Sequence, residues 1–67
     1  MIQVSVNNEI KSITTATLLS DALRDWGYSD SKIAVAINQE FVPRSTYTER
    51  TLNANDQIDI VRPVGGG

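Results

Sequence analysis

Thr17-Leu18-Leu19-Ser20-Asp21-Ala22-Leu23-Arg24-Asp25-Trp26-Gly27 decides the fold, because here the apolar period changes from two residues to that of a helix. Leu18, Leu19, Ala22, Leu23 and Trp26 fall on one helical face, and Asp21, Arg24 and Asp25 on the other. Thr17 is placed to act as N-cap, Asp21 in the first turn favours the helix dipole, and Gly27 stands where the helix should stop. Such a helix needs a sheet against which to bury Leu19, Leu23 and Trp26.

Both flanks supply strands. Upstream, Ile2, Val4 and Val6 alternate with Gln3 and Ser5, and Asn7-Asn8 turns the chain into the weaker strand Glu9 to Ile13; asparagine tolerates the positive φ of a tight hairpin. Downstream, Ile33-Ala34-Val35-Ala36-Ile37 and Phe41-Val42-Pro43 read as two strands around Asn38-Gln39-Glu40, with Pro43 holding the second at a sheet edge or its end. Arg44 to Thr51 is polar and without clear period; Ser45 is available to cap one helical turn that tucks Tyr47 inward, and Leu52 re-enters the core. Asn53-Ala54-Asn55-Asp56 is a turn cluster, after which Ile58 and Ile60 alternate with Gln57, Asp59 and Val61 in a last strand. The order predicts an α+β domain with one main helix on a mixed four- to five-stranded sheet. If the last strand lies parallel beside the first, this is the ubiquitin-like β-grasp, which the element order permits. Residues 1–61 form the expected domain and 62–67 a C-terminal tail. That tail is expected to be mobile from Arg62 onward, having few apolar side chains to bury.

The 67 residues make one domain, near the lower size limit for folding without a metal or disulfides. With 40% hydrophobic and 21% charged residues the chain reads as globular rather than disordered. Its formal net charge is −2, and Lys11, Arg24, Lys32, Arg44, Arg50 and Arg62 are scattered, so nucleic-acid binding is not expected. There is no cysteine and no histidine. Thiol catalysis, disulfides and thiolate metal sites are thereby excluded, and the commonest general acid–base group is missing, which argues against an autonomous enzyme. No apolar run approaches bilayer length, and Met1-Ile2-Gln3-Val4 lacks the basic and apolar segments of a secretion leader. A cytoplasmic protein, monomeric when free, is expected.

The chemistry-bearing feature is the end, Gly65-Gly66-Gly67. Glycine has no Cβ, so such a tail can thread a narrow channel and leave its terminal carbonyl open to attack from either face. A frayed end or a cloning scar would read the same way in isolation.

Val35-Ala36-Ile37-Asn38-Gln39-Glu40-Phe41-Val42-Pro43-Arg44, then Leu52 with Asn55-Asp56-Gln57-Ile58, then the terminal glycines, resemble the ThiS-type sulfur carriers of thiamine (thiazole) biosynthesis over essentially the whole chain. Val-Pro-Arg is the most family-specific piece. The family usually has Gly-Asp before the last strand where this chain has Asn55-Asp56, and asparagine is the best substitute for glycine at positive φ. The added Gly65 lengthens the reach of the diglycine slightly.

The resemblance implies a mechanism and partners. The Gly67 carboxylate, with an unperturbed pKa of roughly 3.3–3.7, is an anion at neutral pH and a poor acyl acceptor. An E1-like, ThiF-type adenylating enzyme would activate it with MgATP, and a persulfide donor would displace AMP to leave a thiocarboxylate for a ThiG-type thiazole synthase. No cofactor is bound stably by the carrier in this scheme, and no metal. Gly66 and Gly65 would give the tail access to both enzymes, and Arg62 either meets a partner carboxylate or phosphate or is simply solvated. Val61, Ala34 and Ala36 lie near the open sheet face if Ile58 and Ile60 face the helix, and there an apolar patch could dock the adenylating enzyme; Phe41 fits either face. Trp26 and Tyr47 belong to the core or its rim. The alternatives are a molybdopterin synthase small subunit, a ubiquitin-like modifier joined to target lysines, and a passive interaction domain with an inert tail.

Overall fold

Asn7 and Asn8, at φ 50° and 69°, turn strand β1 (Ile2–Val6) directly into its antiparallel partner β2 (Glu9–Ile13). The computed structural model describes residues 1–28 and 32–62. Helix α1 (Leu19–Asp25) follows, then β3 (Ala34–Ile37) and β4 (Glu40–Val42) around a second left-handed pair, Asn38 and Gln39 at φ 53° and 70°. A single 3-10 turn (Arg44–Thr46) leads to the last strand, β5 (Gln57–Val61). The strand order is β2-β1-β5-β3-β4. β5 runs parallel to β1 and antiparallel to β3, so first and last strands meet in the centre and the expected β-grasp is present with five strands. β4 is an edge strand, where the missing N–H of Pro43 costs no ladder bond.

One face of the sheet carries the core. Val4, Val6, Val35, Ile37, Val42, Ile58 and Ile60 meet Leu19, Ala22 and Leu23 of α1, with Tyr47 and Leu52 closing the side. Trp26 is half-buried at the rim. The helix ends as its glycine predicts: Gly27 at φ 87° donates its N–H to the Arg24 carbonyl (3.1 Å), and the Tyr28 N–H reaches the Leu23 carbonyl (2.8 Å). These two bonds make a Schellman motif.

The helix start differs from expectation. Leu18, not Thr17, occupies the N-cap and makes no side-chain cap bond; the Thr17 hydroxyl donates instead to the Thr14 carbonyl at 2.6 Å. The segment after β4 crosses the helix N-terminus and does the capping with its backbone. The Leu19 N–H donates to the Arg50 carbonyl (2.8 Å) and the Ser20 N–H to the Tyr47 carbonyl (3.0 Å), which satisfies orphan donors that a cap side chain would otherwise take. Leu18 bridges to Thr51, and the Leu52 N–H donates to the Thr17 carbonyl (2.9 Å). Ser45 does not cap its turn either: Pro43 holds that position, and the Thr46 hydroxyl donates to the Pro43 carbonyl at 2.7 Å. Tyr47 is buried as expected, because packing against the core, rather than a cap, turns it inward.

Candidate functional site: the end of the last strand

Since β5 leads into the tail, its neighbours define what a partner would meet there. Strand alternation sends Ile58 and Ile60 to the core and leaves Gln57, Asp59 and Val61 on the open face. In register, Ala34 lies beside Val61, and Ala36 lies between Asp59 and Phe41. Phe41, compatible with either face by sequence, is therefore on the open face, 70% exposed, while its neighbour Val42 points into the core. Val61, 61% exposed, joins it through the two alanines. Ala36, Phe41 and Val61 thus share the open face in a short strip, with Phe41 and Ala36 in the row of Asp59, and Val61 one row nearer the end of β5. Ile10 is also exposed but sits across from Ser5, beyond β1, outside this strip.

The position of β5 is set by three polar side chains that sequence reading treats only as turn formers. Among the described residues Asp56 is the buried charged one, 5% exposed. Its carboxylate accepts the Asn53 N–H (2.8 Å) and the Asn38 amide (3.0 Å). Asn38 in turn accepts the Gln57 N–H at 3.0 Å through its Oδ1 and donates its own N–H to the Gln57 carbonyl at 2.8 Å. From the other side, the Asn7 Oδ1 accepts the Ile60 N–H (2.8 Å), and the Asn7 N–H donates to the Ile58 carbonyl (2.9 Å). Asn55 takes φ 68° and donates its N–H to the Gln3 carbonyl at 2.7 Å, the left-handed role expected of it in place of glycine. The two hairpin turns therefore lock the strand that carries the terminus.

Arg62 is exposed and makes a contact that neither expectation included. Its guanidinium lies 4.8 Å from the centroid of the Tyr28 ring, an intramolecular cation–π contact. Tyr28 is the residue that sequence reading missed, and its only signal was its place one residue beyond the helix-stopping glycine. Near it, a cavity of about 350 Å³ is lined by Val6, Asn7, Glu9, Lys11, Asp25, Trp26 and Tyr28. Gly65, Gly66 and Gly67 lie outside the described residues. The described residues contain no group of three potential metal ligands, and none of their helices is long and apolar enough to cross a membrane. Burial raises the pKa of the Tyr47 phenol above its ordinary value, against a smaller lowering by the Arg44 charge.

The fold is that of a solved structure, the thiamine biosynthesis protein ThiS from Geobacter metallireducens. Its crystal structure superposes with a TM-score of 0.85 at 17% identity, covering 98% of this chain and 100% of that one. A solution structure of a thiamine biosynthesis protein from the same organism gives 0.78 at 17% identity, covering 98% and 88%. In sequence, the chain is 32% identical over 62 residues to a thiazole synthase of Paramagnetospirillum magneticum, covering 92% of this chain and 19% of that protein. A thiazole synthase of Magnetococcus marinus is 34% identical over 65 residues, with 97% and 20% covered. The chain thus spans about a fifth of the length of these relatives. The ThiS family model matches residues 4–67, from the first strand through the terminal glycine, and the chain belongs to the ThiS family.

Proposed function

We propose that the protein is a sulfur carrier of thiamine biosynthesis whose Gly67 carboxylate is the loading point. The observation that carries this reading is membership of the ThiS family over residues 4–67, a match that runs to Gly67 itself. The thiazole synthase relatives support it from the side of the acceptor, because they hold a segment similar to this chain within their own sequences. A carrier that works beside a thiazole synthase is one way to account for that arrangement.

In this reading residues 1–61 are the recognition domain and 62–67 the tail that reacts. The carboxylate attacks the α-phosphate of MgATP held by a ThiF-type partner and pyrophosphate leaves. A persulfide then attacks the acyl-adenylate carbonyl, AMP departs, and a thiol cleaves the resulting acyl disulfide to leave the thiocarboxylate. The chain itself supplies no acid, base or metal and is not an enzyme; it supplies a carbonyl that Gly66 and Gly67 leave unshielded. The strip of Phe41, Ala36 and Val61 provides the apolar surface on which the adenylating partner docks.

Intact mass after incubation with MgATP, an active adenylating enzyme and a persulfide donor tests the reading. Exchange of one oxygen for one sulfur, localised to Gly67 and absent from a variant lacking Gly66 and Gly67, is the expected result. An unchanged full-length chain, with an enzyme shown to load its own carrier, would refute it, and isopeptide adducts on lysines would indicate a modifier instead.

A further inference from the structure

We propose that Tyr28 is a positioning residue for the end of β5: its ring holds Arg62 and so orders the last described residues before the reacting tail. The effect on the reaction rests on the carrier reading, whereas the clamp itself does not. Three observations carry it. The first is the way the end of β5 is supported. Its pairing with β1 stops at Ile58, and the Ile60 N–H is taken by Asn7. At Val61 only β3 remains, through Ala34. The strand that must present the terminus is thus paired on one side alone at its last residue.

The second observation is the Arg62 guanidinium, which lies over the Tyr28 ring, 4.8 Å from its centroid, one residue beyond the end of β5. Among the described residues no carboxylate pairs with Arg62. The third is the anchoring of the ring. Tyr28 is half-buried and packed against the core, and its N–H is fixed on the Leu23 carbonyl by the Schellman turn at Gly27. The end of β5 is therefore held by two contacts, β3 pairing at Val61 and an aromatic ring at Arg62.

An exposed cation–π contact shifts a population by about two- to five-fold. A receiving enzyme that needs Gly67 in one orientation then binds the unclamped carrier less well, because the ordering cost moves to the moment of binding. Tyr28→Leu and Arg62→Leu should each raise the KM of the adenylating enzyme for the carrier by about two- to five-fold with kcat unchanged. The double variant should be no worse than either single one, and Tyr28→Phe, which keeps the ring face, should behave as wild type. Backbone order parameters at Val61 and Arg62 and at the Arg62 Nε should fall in the two leucine variants and not in Tyr28→Phe, with resonances of β1 to β4 unmoved as the control for folding. Unchanged order parameters would overturn the clamp. Lowered order parameters with unchanged KM, or a KM rise that Tyr28→Phe shares, would overturn the positioning role. A wild-type chain that is not adenylated at all would overturn the carrier reading and the reaction half of this proposal, while the order parameters still decide the clamp.

Discussion

Replacing Asp56 by alanine should remove about 2–4 kcal/mol of stability, a figure that follows from its two hydrogen bonds. The carboxylate is 5% exposed and accepts the Asn53 N–H at 2.8 Å and the Asn38 amide at 3.0 Å. Hydrogen bonds to an ionised acceptor contribute about 1.5–3 kcal/mol each where the stranded donor stays out of water. Both bonds here are partly buried and both donor residues lie at the surface, so each contributes roughly 1–2 kcal/mol. A domain of this size has about 3–10 kcal/mol in total, so the loss is a large fraction of the whole. Urea unfolding followed by Trp26 fluorescence would measure it. With a slope near 1 kcal/mol/M the midpoint should fall by about 2 M or more. Asp56→Asn keeps the volume and one acceptor and should lose about half as much. A loss below about 0.5 kcal/mol for the alanine variant, with the slope unchanged, would refute the view that this carboxylate holds the start of β5.

Gly27→Ala should lower stability by about 1–2 kcal/mol through backbone strain alone, since φ is 87° and nothing lies within 4 Å of the added Cβ; a thermal midpoint unchanged within error would contradict this. Phe41→Glu and Val61→Glu should leave stability within about 0.5 kcal/mol of wild type, because both side chains are exposed. The same variants should weaken binding to the adenylating partner by at least about tenfold, and calorimetric titration showing unaltered affinity would remove the docking assignment. Tyr47, whose burial raises its pKa, holds its proton more tightly folded than unfolded. Its contribution is complete below the unfolded value of about 10 and is lost as pH rises through the higher folded value. Tyr47→Phe should therefore lose stability less steeply above pH 10 than wild type, and parallel curves would exclude Tyr47 as the cause.

Much of the fold was legible because the signals were local. Alternation in β1 and β5, the helical stripe from Leu19 to Trp26, and asparagines at the positive-φ turns Asn7-Asn8, Asn38 and Asn55 are each decided within a few residues. Thr17 and Ser45 were misread for the opposite reason. A cap rule considers the nearest side chain, whereas the N–H groups of Leu19 and Ser20 were taken by carbonyls of Arg50 and Tyr47. Phe41 could not be assigned a face from a three-residue strand beside a proline. Pairing with Ala36 assigned it.

The sequence by itself determined the element types and their order, the left-handed asparagines of its turns, the absence of cysteine and histidine, and the run Gly65-Gly66-Gly67. Those properties depend on backbone dihedral preference and side-chain chemistry, which each residue carries wherever it lies. The tertiary structure alone decided that β5 sits between β1 and β3, that Asn7 serves Ile60, that Asp56 is buried, and that Tyr28 meets Arg62. Contacts of this kind depend on which surfaces the collapse of the core brings together, and no short window of sequence contains both partners.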